Sequence, residues 1–213
     1  IGYTMKEYYK LYNDEDIQDT ILFSFGFHGY LDNIGEITNK IQNKTIHKMK
    51  FLNKKKAILK FKDAQYPVMQ QQDTTSKNIP NDIDLKTNKL ITGPNASGKT
   101  SLLKTTITNI LLSQQFGLGY FEKGKMTPFD HIHCYLNIPD TSSRDSLFQA
   151  EARRCLEILT KIKDNEDKKH FCIFDELFSG TNPYEAISSA KSYLKHISKS
   201  DKIKFLLTTH FIS

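Results

Sequence analysis

The chain has 213 residues, 38% of them hydrophobic, which suits one sizeable core with a small appendage, and 30 basic against 24 acidic residues leave a net charge of +6. No run approaches the roughly 18 to 20 apolar residues of a membrane-spanning helix, and the acidic, Tyr-rich start over 1–19 has no signal-peptide apolar core, so neither a membrane span nor secretion is indicated. Cys134, Cys155 and Cys172 are odd in number and lack metal-ligand spacing, so they read as core residues and suit a reducing, intracellular compartment.

Ile1 in place of Met, and Ser213 a few residues past a strand-like run, read as the ends of a fragment. Residues 1–62 show helix-like patches, Met5 to Tyr12 and Ile34 to Leu52, broken by Gly26, Gly29 and Gly35, and carry no catalytic signature. Nine lysines and no acid fall between Lys40 and Lys62, interleaved with Ile46, Met49, Phe51, Leu59 and Phe61. This pattern predicts either a helix or hairpin with a solvated basic face, or a contact with DNA phosphates.

From Asp63 onward short apolar runs alternate with helical stretches, the grammar of an α/β domain over 63–213. The polar stretch Gln70 to Asn78 reads as a loop. Strands are predicted at Lys89 to Thr92, His131 to Leu136, Phe171 to Phe174 and Phe205 to Thr209. Helices are predicted from Gly98 to about Gln115, Ser146 to Ile162 and Asn182 to Ile197. The expected architecture is a mostly parallel sheet flanked by helices, a P-loop NTPase fold with its phosphate loop at the carboxyl end of a strand, preceded by a small, partly helical segment over 1–62.

Gly93-Pro94-Asn95-Ala96-Ser97-Gly98-Lys99-Thr100 matches G-x-x-x-x-G-K-[ST] between a predicted strand and a predicted helix. Glycines let backbone N–H groups wrap phosphates, the helix N-terminus adds partial positive charge, Lys99 supplies a cation and the Thr100 hydroxyl is a Mg²⁺ ligand. ATP and Mg²⁺ are the expected cofactors, with Ser101 closing the phosphate-binding run. Phe171-Cys172-Ile173-Phe174-Asp175-Glu176 is an apolar strand ending in two carboxylates, which unpaired would be costly to desolvate. Asp175 reads as the Mg²⁺ partner and Glu176 as the group that orients or deprotonates the attacking water. His210, in Thr208-Thr209-His210, follows the next strand at the edge where a γ-phosphate sensor belongs. His131 and His133, beside Cys134, have no second ligand pair and read as structural.

Together these residues resemble the ATPase domain of the MutS family, a branch of the ABC-type ATPases. Asn78-Ile79-Pro80-Asn81-Asp82 followed by Ile91-Thr92-Gly93-Pro94-Asn95 is similar to that family's PND lead-in and ITGPN phosphate loop, with Ser97 where many members have Gly. Asp175 through Asn182 is similar to its DE-x-x-x-GT block, Thr209-His210-Phe211 to its TH-aromatic motif, and Ser146 through Glu151 to its S-x-F-x-x-E signature. The resemblance implies ATP sites shared across a homo- or heterodimer interface, with Ser146 acting in trans on the partner's nucleotide. It also implies Ile79 against the adenine, although Asn78 replaces a neighbouring aromatic, and an ATP state that controls clamping on mismatched or damaged DNA. Residues 1–62 would fall at the base of the family's lever and connector helices, while its Phe-x-Glu mismatch wedge and its helix-turn-helix tail are not in this chain. The alternatives are a chromosome-maintenance or transporter ABC-type motor, which carries an LSGGQ-like signature, and a nucleotide-locked DNA-binding scaffold, which needs a damaged phosphate loop.

Overall fold

The computed structural model describes residues 2–67, 79–136 and 147–210. It divides into two compact units, Ile1–Thr45 and Ile46–Ser213. The first holds α1 (Gly2–Tyr12) and α2 (Glu15–Gln42). Asp14 caps α2 by accepting from the Ile17 amide at 3.2 Å, and Glu15 and Asp16 in the first turn complement the helix dipole. Gly26, Gly29 and Gly35 do not break this helix. Each glycine costs only about 1 kcal/mol relative to alanine, and α2 spans 28 residues. The helix-like patch from Ile34 to Leu52 is divided instead, ending as helix at Gln42 and resuming as a strand.

The second unit contains β1 (His47–Phe51), β2 (Leu59–Ala64), β3 (Asn81–Asp84), β4 (Lys89–Thr92), α3 (Lys99–Phe116), β5 (Leu118–Gly119), β6 (Lys123–Met126), β7 (His131–Tyr135), α4 (Leu147–Lys163), β8 (His170–Asp175), α5 (Pro183–Ile197) and β9 (Ile203–Thr209). It begins before residue 63 because β1 and β2 both belong to a sheet inside it.

One sheet has the order β4-β9-β8-β7 and is parallel throughout, as expected from four apolar runs separated by helices. β8 and β9 are buried on both faces. Phe171, Ile173 and Leu206 join one core with Leu103 and Ile110 of α3. Cys172, Phe174, Phe205 and Leu207 join another with Cys155 and Ile158 of α4 and Ala186 and Ile197 of α5. Burial pushes the Cys155 thiol up to about 12 and raises that of Cys172, so both act as apolar fillers.

The other sheet, β3-β2-β6-β1-β5, is mixed and was not foreseen. β1 runs parallel to β6, while β2 pairs antiparallel with both β3 and β6. The lysine-rich segment is therefore neither a helix past Gln42 nor a hairpin, because β6, more than sixty residues further on, lies between β1 and β2. Met49, Leu59, Phe61 and Met126 face inward onto the α3 core, and their neighbours Lys48, Lys50, Lys60, Lys62 and Lys125 are exposed.

Candidate active site

The carboxyl ends of β4, β9 and β8 lie in register, with Thr92 opposite Thr209 and Asp175 opposite Thr208. This alignment brings together three motifs far apart in the chain, at the edge where open α/β sheets bind ligands. The loop from Gly93 to Gly98 leaves β4 and turns into α3. Gly98, at φ 89°, occupies the left-handed region as the cap of α3, and Ala96 also has positive φ, at 59°. A Cβ on Gly93 would stand 3.0 Å from the Ser97 hydroxyl, so glycine keeps that turn compact.

Lys99 is buried at the start of α3, and its ammonium donates to the carbonyls of Gly93 and Pro94, each at 2.8 Å. The Thr100 hydroxyl donates to Asp175 Oδ2 at 2.9 Å, and the Thr208 hydroxyl bonds the other carboxylate oxygen of Asp175. His210 stands between two charged groups, its Nε2 2.5 Å from Glu176 Oε1 and its Nδ1 3.4 Å from Lys99 Nζ. With its Nε2 proton donated to Glu176, the ring presents Nδ1 as an acceptor toward the Lys99 ammonium. The chain of contacts Lys99–His210–Glu176 thus links the phosphate loop to both strands beside it.

A cleft of about 560 Å³ opens beside this edge, lined on the loop side by Gly93, Pro94, Ser97, Gly98, Lys99 and Ser101. Its apolar end is formed by Ile79, Ile91 and Tyr66, with Leu102 and Thr105 of α3 completing the wall. Tyr66 escaped the sequence reading. Its anchor is the buried Asn109 on α3, whose amide donates to the Gln65 carbonyl at 3.0 Å while its oxygen accepts from the Tyr120 amide at 2.7 Å. An asparagine on the apolar side of a helix was the available signal.

Glu151 was read only as part of a motif. It is buried on the stripe of α4 shared with Cys155, Ile158 and Ile162, and one carboxylate oxygen accepts from the Ser179 amide and hydroxyl, each at 2.9 Å. The other accepts from the Gly180 amide at 3.1 Å. This carboxylate ties α4 to the loop that follows Glu176. A Cβ on Gly180 would lie 2.8 Å from Leu147 Cγ, so the loop and the start of α4 meet closely. Ser146, one residue before α4, lies outside the described residues, as do the Gln70 to Asn78 stretch and Phe211.

His131, His133 and His170 stack across β7 and β8 beneath the opposite sheet edge, with His133 Nε2 3.0 Å from His170 Nδ1. They stand apart from the motifs at the carboxyl ends of the strands. No helix among the described residues is long and apolar enough to cross a membrane.

Residues 89–213 match the family described as MutS domain V. The chain is 28% identical over 159 residues to the DNA mismatch repair protein MutS of Carboxydothermus hydrogenoformans, covering 72% of this chain and 18% of that protein. It is 36% identical over 143 residues to Endonuclease MutS2 of Streptococcus mutans, covering 64% of this chain and 18% of that protein. With Endonuclease MutS2 of Staphylococcus aureus it shares 29% identity over 199 residues, 91% of this chain and 26% of that protein. The chain therefore spans between 18% and 26% of the length of these relatives. It belongs to the MutS family, to which the phosphate loop and the paired carboxylates at the ends of its parallel strands already pointed.

Proposed function

We propose that this chain is an ATP-binding and ATP-hydrolysing domain of the ABC-type P-loop class, working in a dimeric MutS-type protein that acts on DNA. The observation that carries the reading is the convergence of Lys99, Thr100, Asp175, Glu176 and His210 on one sheet edge beside a cleft of about 560 Å³. The donor set fits the expected cofactors. Thr100 and Asp175 offer a hydroxyl and a carboxylate within hydrogen-bond distance, an oxygen-only pair suited to Mg²⁺. When bound, the metal supplies neutralisation of charge on the β- and γ-phosphates.

The amides of the loop from Gly93 to Thr100 bind the phosphates, and Lys99 adds the buried cation. Ile79 and Tyr66 hold the base at the apolar end of the cleft. Glu176 orients the attacking water and takes its proton, while His210, in contact with both Glu176 and Lys99, registers the γ-phosphate. Ser146 of a partner subunit completes the site, as in the family resemblance. For the parent protein we propose a role in DNA mismatch repair, the activity named for the Carboxydothermus relative. The second reading is the endonuclease named for the MutS2 relatives, favoured by an alignment that reaches 91% of this chain.

Nucleotide titration and turnover test the assignment. Lys99→Ala is expected to abolish ATP binding, and Glu176→Gln to retain it while slowing hydrolysis at least about tenfold. Unchanged affinity in the first, or normal turnover in the second, removes that residue from the mechanism.

A further inference from the structure

Six lysines form a grid on the outer face of the mixed sheet. Lys125 on β6 stands opposite Lys50 of β1 on one side and Lys60 of β2 on the other. Lys123 stands opposite Lys62, and the same register sets Lys48 beside it on β1. All six are exposed, and together with Glu122 and Gly124 they line a depression of about 420 Å³. Like charges placed directly opposite in a ladder destabilise a sheet. Among the described residues acids offset this at one border, where Asp84 reaches Lys60 at 2.9 Å, Asp63 reaches Lys62 at 3.5 Å, and Glu122 reaches Lys62 at 2.5 Å and Lys123 at 3.7 Å. Among the described residues no acid pairs with Lys48, Lys50 or Lys125.

We propose that this face binds the sugar-phosphate backbone of duplex DNA. Strands about 4.8 Å apart spread the grid over roughly 10 Å, and a duplex presents one phosphate charge per about 3.4 Å along each strand, so the grid meets several phosphates at once. Only lysines take part. They supply movable point charges without the bidentate fork of arginine, which fits contact with a backbone independent of sequence. Among the described residues no exposed large apolar side chain lines the depression, so it lacks what a lipid surface would require for insertion. The proposal rests on the DNA part of the function above and makes no use of the nucleotide cleft.

The test is fluorescence anisotropy of the full-length protein on a mixed-sequence duplex, titrated across salt concentrations. The variant combines Lys48→Gln, Lys50→Gln, Lys123→Gln and Lys125→Gln, and leaves Lys60 and Lys62 with their acids. Its salt slope is expected to fall by about 0.9 per lost phosphate contact, hence by roughly two to four, with ATP affinity unchanged. A slope equal to that of the unaltered protein overturns the proposal. So does an equal fall after Lys54→Gln, Lys55→Gln and Lys56→Gln, lysines outside the grid, since the effect would then be one of diffuse charge. Loss confined to phosphatidylserine vesicles, with DNA binding intact, also overturns it. If the unaltered protein binds no duplex at all, the DNA reading itself fails, whereas ATP binding stands or falls separately. Should the fourfold variant misfold, Lys48→Gln with Lys125→Gln gives the same test with a fall of roughly one to two.

Discussion

His133 illustrates how a single buried ring makes stability depend on pH. It is 8% exposed. Burial, reinforced by His170, His131, Arg154 and Lys161, holds its pKa at about 4, below the ordinary 6.5. His170 is lowered as well, chiefly by burial. The folded state keeps His133 neutral while the unfolded chain takes up a proton below pH 6.5, so stability falls as pH drops from 6.5 toward 4. Between about pH 7.5 and 5 the loss from this group is on the order of 2 kcal/mol. Urea unfolding at the two pH values checks this, and His133→Gln should flatten the dependence. Equal losses in the variant and the unaltered protein would assign the effect elsewhere. The histidines could be seen in the sequence as a structural group, but His170 was not joined to them because it sits at the start of another strand, 37 residues from His133.

At the scale of elements, the loop after β8 is the part held least by local preference. Glu176 and Phe178 have φ of 54° and 59°, in the left-handed region where a non-glycine residue costs roughly 1 to 3 kcal/mol. Tertiary contacts compensate: Phe178 is buried, and Glu151 of α4 takes three hydrogen bonds from Ser179 and Gly180. Glu151 is thus a positioning residue for the turn that aims Glu176. Glu151→Ala is predicted to leave ATP affinity unchanged and to lower kcat roughly tenfold to a hundredfold. Glu151→Gln, which keeps an oxygen for Ser179, should recover part of that loss. A matching drop in ATP affinity, or no recovery with glutamine, would mean that the carboxylate serves only the fold.

The same scale shows what could be read in advance. Runs such as Phe171 to Phe174 and Phe205 to Thr209 announced their strands because both faces are buried and the run is continuous. The mixed sheet stayed hidden because its strands are four to six residues long, apart from the two residues of β5, and because β1 and β2 alternate lysine with apolar residues. That alternation has the period of a strand, yet it adjoins the helical pattern of α2, and the partner that completes it, β6, arrives much later in the chain. Long-range pairing of this kind leaves no local trace. The phosphate loop and the Asp175-Glu176 pair were legible because their chemistry requires those residue types at fixed spacing. Tyr66 and Glu151 act through tertiary contacts, so only their placement in space exposes them.

For the whole molecule the open matter is whether one chain suffices for hydrolysis. Among the described residues the loop from Gly93 to Gly98, the Asp175–Glu176 pair and His210 gather at one sheet edge, so in the function proposed above each chain binds one triphosphate. Ser146 directly precedes α4, a helix of 17 residues whose N-terminal end carries partial positive charge. The α4 start packs on the Gly180 loop, while Lys99 and Ser101 already line the phosphate end of the cleft. A serine at such a helix end, if it serves ATP, is best employed on the γ-phosphate of a second subunit. Ser146→Ala is then predicted to bind ATP and lose hydrolysis, and Lys99→Ala to lose both. Mixing the two in the parent protein should restore up to about a quarter of the normal activity per site if subunits exchange at random, because half of the dimers are mixed and each rebuilds one of its two sites. Turnover, measured alongside the fraction of heterodimer by native mass spectrometry, decides the matter. A mixture as inactive as either variant, with heterodimers demonstrably present, reduces Ser146 to a helix cap.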